Sequence, residues 1–101
     1  MEPRFHPDAL VELEQEGAER GEPFVTAVEQ VVAKALETPG AGALWPSLPP
    51  DLGVRRRDIP RYKYMSLAYT VIDDLFWIVA VVHERRQPGY WLQRLDSLHP
   101  G

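Results

Sequence analysis

The chain has 101 residues, a formal charge of −4 at pH 7 and no cysteine, so we expect one domain over residues 1–101, without disulfides or thiolate metal sites. No apolar run approaches the roughly 20 residues of a membrane-spanning helix, and the N-terminus lacks the basic and apolar segments of a signal peptide. These features exclude a disulfide scaffold and a membrane protein, and they predict a cytoplasmic protein with no membrane association.

The charged residues are unevenly distributed along the chain. Residues 1–50 carry nine acidic and three basic side chains, whereas residues 51–101 carry six acidic and eight basic ones. A net acidic protein does not attract nucleic acid through its overall field. A local basic face on the C-terminal half is still compatible with this distribution.

The N-terminal half predicts a short strand followed by two helices. After the strand at residues 2–5, Pro7 fits the first position of a helix and Asp8 suits the positive end of its dipole. Gly21 ends this helix, and a second helix begins at Glu22 and stops at a Thr-Pro-Gly sequence. Its apolar residues recur at helical spacing: Phe24, Val28, Val31, Val32, Ala35 and Leu36. The short link between the helices predicts an antiparallel hairpin.

The C-terminal half predicts a sheet. An irregular connection over residues 39–53, rich in Pro and Gly and fixed by the packing of Trp45, leads to three strands, over residues 54–59, 62–72 and 75–83. Asp73 and Asp74 predict a hairpin turn between the last two. The third strand is rich in Val, Ile and aromatic residues, which is typical of a central strand buried on both faces.

Alternation along the 62–72 strand assigns its side chains to two faces of the sheet. The face under the helices is expected to carry Met65, Leu67, Tyr69 and Val71. The opposite, more open face is expected to carry Tyr62, Tyr64, Ser66, Ala68 and Thr70. The predicted order is β-α-α-β-β-β, an α+β fold with the helical hairpin on one face of a mostly antiparallel four-stranded sheet.

Polar and aromatic residues follow the last of these strands. Residues 83–91 read His-Glu-Arg-Arg-Gln-Pro-Gly-Tyr-Trp. The Pro-Gly pair breaks the strand, residues 90–95 predict a short last strand or turn, and residues 96–101 predict a frayed tail. Side chains at the end of a core strand are held rigidly and are still exposed, which suits a functional site.

This ending resembles the His-x-Arg-Arg-x-Pro-x-Tyr-Trp ending of many RelE/ParE superfamily toxins, the plasmid-stabilisation type among them, which belong to bacterial type II toxin–antitoxin modules. The helix opening at residues 5–9, the Pro39-Gly40 stop and the Gly53-Val54-Arg55-Arg56 entry to the sheet are similar as well. The resemblance implies a RelE/ParE-like fold over nearly the whole chain. Where the family often has Phe-Pro-Tyr, this chain has Tyr62-Lys63-Tyr64, which predicts a local bulge.

The resemblance implies growth inhibition by one of two activities. ParE-like members poison DNA gyrase, and the net acidity favours this mode, because a nuclease that approaches the ribosome benefits from many Lys and Arg residues. A RelE-like, metal-independent mRNA endoribonuclease is the alternative, and an inactive or regulatory member that only binds antitoxin is a second alternative. In each case we expect a hetero-oligomer with a cognate antitoxin, contact with operator DNA only through that antitoxin, and no cofactor.

RNA cleavage by a 2′-hydroxyl needs a base, an acid and a cation for the phosphate. His83 suits the proton transfers, Arg85 and Arg86 suit phosphate binding, and Tyr90 could be a weak acid or stack on a base. The residues expected to bind the target or a phosphate are Arg55, Arg56, Arg61, Lys63 and Trp91. No metal ligands are expected, because no two His share a helical spacing.

Each of these residues also has a purely structural interpretation. His83 could hydrogen-bond the backbone at its strand end, and Arg85 and Arg86 could pair with the acidic helices or with an acidic partner. Tyr90 and Trp91 could be packing residues. The arginines at 55–57 could belong to a solvated edge strand that discourages aggregation.

Overall fold

The computed structural model of the chain describes residues 1–98, with two helices packed on a mixed five-stranded sheet. The elements in chain order are β1 (Pro3–Phe5), α1 (Pro7–Arg20), α2 (Glu22–Glu37), β2 (Ala43–Leu44), β3 (Arg55–Asp58), β4 (Met65–Ile72) and β5 (Leu75–His83). Short 3-10 segments lie at Pro39–Ala41, Pro50–Leu52 and Leu92–Ser97. The strand order is β1-β5-β4-β3-β2.

The sheet confirms the predicted α+β class and has one strand more than the four expected. β1 pairs with β5 in parallel, and every other neighbouring pair is antiparallel. The expected four strands become five because residues 43 and 44 pair with β3. β5 lies between β1 and β4 and is buried over residues 78–82, which confirms it as a central strand.

Local signals set the ends of the helices as predicted. His6 precedes α1, and its ring Nδ1 accepts a hydrogen bond from the Asp8 backbone N–H at 3.1 Å, which satisfies one of the free N–H groups of the first turn. Gly21 joins the helices with a φ of +88°, a conformation open to glycine. At Gly17, an added Cβ would lie 2.8 Å from a Val25 methyl, so this glycine allows the two helices to approach closely. Within residues 1–98, no helix is long and apolar enough to cross a membrane.

One hydrophobic cluster joins the helical hairpin to the sheet. Its buried residues are Ala9, Leu13, Phe24, Val28, Val31, Val32, Ala35, Ile59, Met65, Leu67, Tyr69, Phe76, Ile78 and Val81. The predicted helix-side face of β4 is therefore confirmed except at Val71, which is 41% exposed near the hairpin turn.

A second cluster covers the opposite face of the sheet, which we expected to be more open. Its buried residues are Val54, Ala68, Val79, Ala80, Val82, Trp91 and Leu98. The C-terminal segment (residues 84–98) supplies much of this cover, and it ends in a 3-10 segment where a strand or turn was predicted. The expected frayed tail is wrong for residues 96–98, since Leu98 is only 1% exposed; residues 99–101 lie outside the described part of the chain.

The two hairpin turns of the sheet differ from each other. Asp73 and Asp74 both have positive φ, of 51° and 63°, as a type I′ turn requires, so the β4–β5 hairpin is confirmed. β4 begins only at Met65, after an irregular turn that includes Tyr62, so no bulge lies in the 62–64 segment. Tyr62 packs edge-on against Phe24 of α2 at 4.9 Å between ring centroids, on the helix side and not on the face expected. The register shift in the β4–β5 pairing lies at Ala68 and Tyr69.

Candidate functional site

A buried ion pair fixes the C-terminal segment next to the end of β5. β1 ends at Phe5, paired with Ile78, so further along β5 the edge on that side has no strand partner in the described chain. Glu12 accepts the Val81 backbone N–H at 3.1 Å, and Arg94 donates to the Val79 carbonyl at 3.1 Å. The two side chains therefore satisfy backbone groups that would otherwise be buried unpaired.

Glu12 and Arg94 also bond to each other through two parallel contacts. Nη1 lies 2.8 Å from Oε1 and Nη2 lies 3.0 Å from Oε2. For Arg94, burial alone would lower the pKa, but the hydrogen bond and the charge of Glu12 outweigh it and raise the pKa. The pair connects α1, β5 and the C-terminal segment.

Tyr90 belongs to this structural network. Its O–H donates to Glu12 Oε2 at 2.9 Å. Burial of the ring, followed by the negative charge of Glu12 and the hydrogen bond to it, raises the pKa of Tyr90 to about 12. A phenol in this state gives up its proton less readily than an ordinary tyrosine. The geometry thus favours the packing interpretation of Tyr90 over a role as acid.

His83 ends β5 and is half-buried. Its Nδ1 accepts the backbone N–H of Arg85 at 3.2 Å. In the neutral ring this contact places the proton on Nε2, the nitrogen left for exchange with a ligand. The structural interpretation of His83 is therefore correct for Nδ1 and leaves Nε2 available.

A second polar cluster lies on the sheet face opposite the helices, beside His83. Arg56 Nη2 is 2.7 Å from Glu84 Oε1 and 3.1 Å from Asp58 Oδ1. The hydroxyl of the buried Ser66 lies 3.2 Å from an oxygen of each carboxylate. Burial alone would lower the pKa of Arg56, but the bonds and charges of Asp58 and Glu84 raise it. Arg56 and Ser66 thus fix the position of Glu84.

Arg56, His83 and Glu84 line one open pocket of about 380 Å³. Its charged groups and its imidazole come from Arg56, Glu84, Arg86 and His83. The other lining residues are Trp45, Pro46, Ser47, Leu48, Val82, Gln87, Pro88, Gly89, Tyr90, Trp91 and Leu92. A pocket of this size with a few convergent polar groups has the properties of a small-ligand site.

Three of the predicted target-binding residues already have partners within the fold. Trp91 is 1% exposed and packs edge-on against Trp45 at 5.0 Å between ring centroids, so its face is not accessible to a base. Arg55 donates to the Gly42 carbonyl at 2.6 Å. Arg56 is already held by two carboxylates. β3 lies between β4 and β2, so these arginines do not form the outer edge of the sheet.

The other two predicted target-binding residues lie at the turn between β3 and β4. Arg61 and Lys63 lie in that turn and line a pocket of about 540 Å³ together with Tyr64 and Glu84. The guanidinium of Arg85 lies 4.1 Å from the Tyr64 ring centroid. Arg85 and Arg86 form no ion pair with an acidic side chain in residues 1–98.

The sequence-based interpretation missed several residues of this site. Glu84 occupies a variable position inside the ending that carried the resemblance, so its location could have identified it. Asp58 and Ser66 join the site through strand register, and Glu12 and Arg94 are far apart in sequence. No group of three or more His, Cys, Asp or Glu side chains that could hold a metal ion occurs in residues 1–98.

The fold agrees with that of solved toxin–antitoxin complexes. No protein-family model matches the chain, and no curated protein matches it. The solved structures that match include the heterotetrameric complex of YoeB-YefM toxin–antitoxin from Staphylococcus aureus and a second YoeB-YefM complex from the same organism. Each has a TM-score of 0.60 and 18% identity, and the match covers 81% of this chain and 94% of the other. The predicted RelE/ParE-like fold is thereby confirmed.

Proposed function

We propose that this chain is the toxin of a bacterial type II toxin–antitoxin module and that it inhibits growth as a RelE-like mRNA endoribonuclease. The observation that carries the proposal is the pocket at the end of β5, where His83, Glu84 and Arg86 meet. A carboxylate, an imidazole and a free guanidinium are the groups that cleavage by a 2′-hydroxyl requires.

Each group has one role in this scheme. The Glu84 carboxylate takes the proton of the 2′-hydroxyl, and the 2′-oxygen forms a bond to phosphorus. The bond from phosphorus to the 5′-oxygen breaks, and His83 gives that oxygen a proton from Nε2. It does so as the imidazolium, in which Nδ1 also carries a proton and no longer accepts the Arg85 N–H. The products are a 2′,3′-cyclic phosphate and a 5′-hydroxyl.

The two flanking arginines have different roles. Arg86 stabilises the charge that develops on the phosphate, since a guanidinium can bind two phosphate oxygens at once. Arg56 is already paired with two carboxylates, so it positions Glu84. A carboxylate with one bond to Arg56 and one to Ser66 still has lone pairs free for the substrate proton.

The gyrase-directed mode that the net charge favoured has less support. The two solved structures described above are YoeB-YefM toxin–antitoxin complexes, and the pocket has the groups of a nuclease, so the RelE-like alternative fits better. A ParE-like toxin uses the same arginines as a protein-binding surface and does not require His83 as a proton carrier.

The proposed partner is a cognate antitoxin, as in the solved complexes. An open groove of about 920 Å³ between α2 and the β3–β4 turn combines apolar residues with three basic side chains, Lys34, Arg57 and Arg61, and two acidic ones, Glu22 and Asp58. This composition suits an amphipathic segment that carries acidic side chains. The antitoxin would contact operator DNA, and the toxin would join it in a cytoplasmic hetero-oligomer.

The test is induced expression in a bacterial host, with mRNA integrity and DNA supercoiling followed over time. We expect rapid loss of mRNA, fragments that end in 2′,3′-cyclic phosphate, and unchanged supercoiling. His83→Gln should abolish cleavage and still bind the antitoxin, which shows that the variant is folded. Intact mRNA with DNA breaks would instead establish the gyrase-directed mode, and persistent cleavage by His83→Gln would exclude His83 as proton carrier.

A further inference from the structure

Tyr64 and Arg85 form an exposed stack beside the proposed nuclease pocket. The Arg85 guanidinium carbon lies 4.1 Å from the ring centroid of Tyr64, and Lys63 Nζ lies 5.2 Å from the same centroid. The Tyr64 residue is 39% exposed, which is unusual for a large aromatic side chain in this protein. The stack therefore presents a flat aromatic and guanidinium surface to solvent.

The backbone holds this stack in a strained conformation. Arg61 and Tyr64 have φ values of 74° and 70°, in the left-handed region that bulky residues seldom adopt. Such strain persists where the surrounding structure fixes it, and it is frequent at functional sites. Here the Tyr64 carbonyl accepts the Glu84 backbone N–H at 2.7 Å, so the backbone of Tyr64 is bonded directly to the backbone of the residue proposed as the base.

The charges around the stack are suited to a nucleotide. The charged residues that line the pocket of about 540 Å³ beside Tyr64 are Arg61, Lys63, Asp58 and Glu84. Asp58 is paired with Arg56, and Glu84 also lines the nuclease pocket. A strand of RNA that crosses from one pocket to the other passes Lys63 and Arg61 with its phosphates and Tyr64 with a base. Aromatic rings and guanidinium planes are the surfaces on which proteins stack unpaired bases.

We infer that Tyr64 and Arg85 form a stacking subsite for one unpaired nucleobase of the RNA substrate, adjacent to the cleaved phosphate. This inference rests on the proposed nuclease function and adds a binding site to it. Tyr64 binds the base and takes no part in proton transfer. The subsite fixes the distance between a splayed-out base and the scissile bond, so it sets the position of the cut.

The test measures binding of a short single-stranded RNA with a 2′-deoxynucleotide at the cleavage position, which prevents cleavage. A set of such oligonucleotides carries one abasic nucleotide at successive positions, and their affinities are measured by fluorescence anisotropy. For the natural chain we expect one abasic position to weaken binding about ten-fold, a typical value for one base stacked on an aromatic ring. For Tyr64→Ala we expect weaker binding of the complete oligonucleotide and no further loss at that position.

Two variants serve as controls. Tyr64→Phe keeps the ring and should keep the abasic effect. Val71→Ala removes a side chain of similar exposure at the far end of β4 and should change nothing. Thermal unfolding of all variants verifies that they are folded.

The outcomes separate the subsite from the nuclease function. If Tyr64→Ala cleaves and binds RNA as the natural chain does, with the same abasic profile, the subsite is excluded and the nuclease function stands. If the natural chain neither binds nor cleaves RNA, both are overturned. A lost abasic effect in Tyr64→Ala, kept in Tyr64→Phe, supports the subsite.

Discussion

His6 joins the start of α1 to the C-terminal segment through both of its ring nitrogens. Nδ1 accepts the Asp8 backbone N–H, and Nε2 lies 3.0 Å from the Ser97 hydroxyl. Burial of the ring lowers the pKa of His6; the positive Arg94 adds to this, whereas Asp8 and Glu12 oppose it. The neutral ring is therefore the form that caps α1.

This depressed pKa predicts a loss of stability in mild acid. As the pH falls below 6.5, the ordinary pKa of histidine, the unfolded chain takes up a proton before the folded chain does, so the free energy of unfolding decreases. The decrease ends at the lower folded pKa. The stabilisation that the neutral His6 ring provides is fully present above pH 6.5. Urea unfolding of the natural chain and of His6→Gln on either side of that pH measures it. The variant should be less stable at neutral pH and show a smaller decrease; equal decreases in both proteins would refute the assignment.

Beyond the end of β1, the C-terminal segment and α1 bond the β5 backbone at the edge where another strand would otherwise pair. Glu12 and Arg94 have side chains only 9% and 10% exposed, and they satisfy backbone groups on the open edge of β5. Removing one member of such a buried pair leaves a charge without its partner, which costs more free energy than the pair itself contributes.

Arg94→Met should therefore destabilise the protein by about 3 kcal/mol or more. The double variant Glu12→Leu/Arg94→Met should regain part of this, since no charge is left buried, although the Val79 and Val81 backbone groups stay unpaired. Arg20→Gln is the comparison variant: it breaks an ion pair with Glu16 in the same helix, in which Arg20 is 31% and Glu16 11% exposed, so we expect a smaller loss than for Arg94→Met. Urea unfolding gives these values, and simple additivity of the single Glu12 and Arg94 variants would contradict the coupling.

The elements that could be predicted from the sequence are those with local signals. Pro7 and Gly21 mark the ends of α1, the two aspartates mark the β4–β5 turn, and the helical period marks α2. The two-residue strand β2 has no room for an alternating pattern, so it was missed. The cover over the second face depends on the contact of Trp45 with Trp91, which are distant in sequence, and no local pattern reports such a contact.

The candidate site was predictable to the same extent. His83 and Arg86 lie together because they are neighbours in the chain, and the pocket includes both. The burial of Trp91 and the bond of Tyr90 to Glu12 depend on the position of α1, which the sequence does not encode locally. Glu84 gained its role only when strand register brought Arg56 and Ser66 to it.

At the scale of the whole molecule, the net charge of −4 is a poor guide to the target. The acidic side chains are concentrated in the N-terminal half with its two helices, whereas free cations gather at the β3–β4 turn and just after β5. Interactions between exposed charges are screened beyond about 10 Å at ordinary ionic strength. A phosphate in the pocket therefore responds mainly to Arg86, which lines the pocket, and to Arg85 beside it in the chain.

We therefore expect RNA cleavage to depend more on the positions of the charged side chains than on the net charge of the protein. Arg85→Glu/Arg86→Glu should slow RNA cleavage by about 100-fold or more, since the phosphate contact of Arg86 and the positive charge of Arg85 next to it are lost and replaced by repulsion. Arg4→Glu/Lys34→Glu changes the net charge by the same amount at exposed positions on β1 and α2, and we expect cleavage within about two-fold of the natural chain when salt screens distant charges. Single-turnover cleavage of a labelled RNA at low and high salt measures both. If the two variants lose activity equally, the overall field controls the reaction and the pocket has no special role; if only the first variant does, the cations beside His83 form the phosphate site.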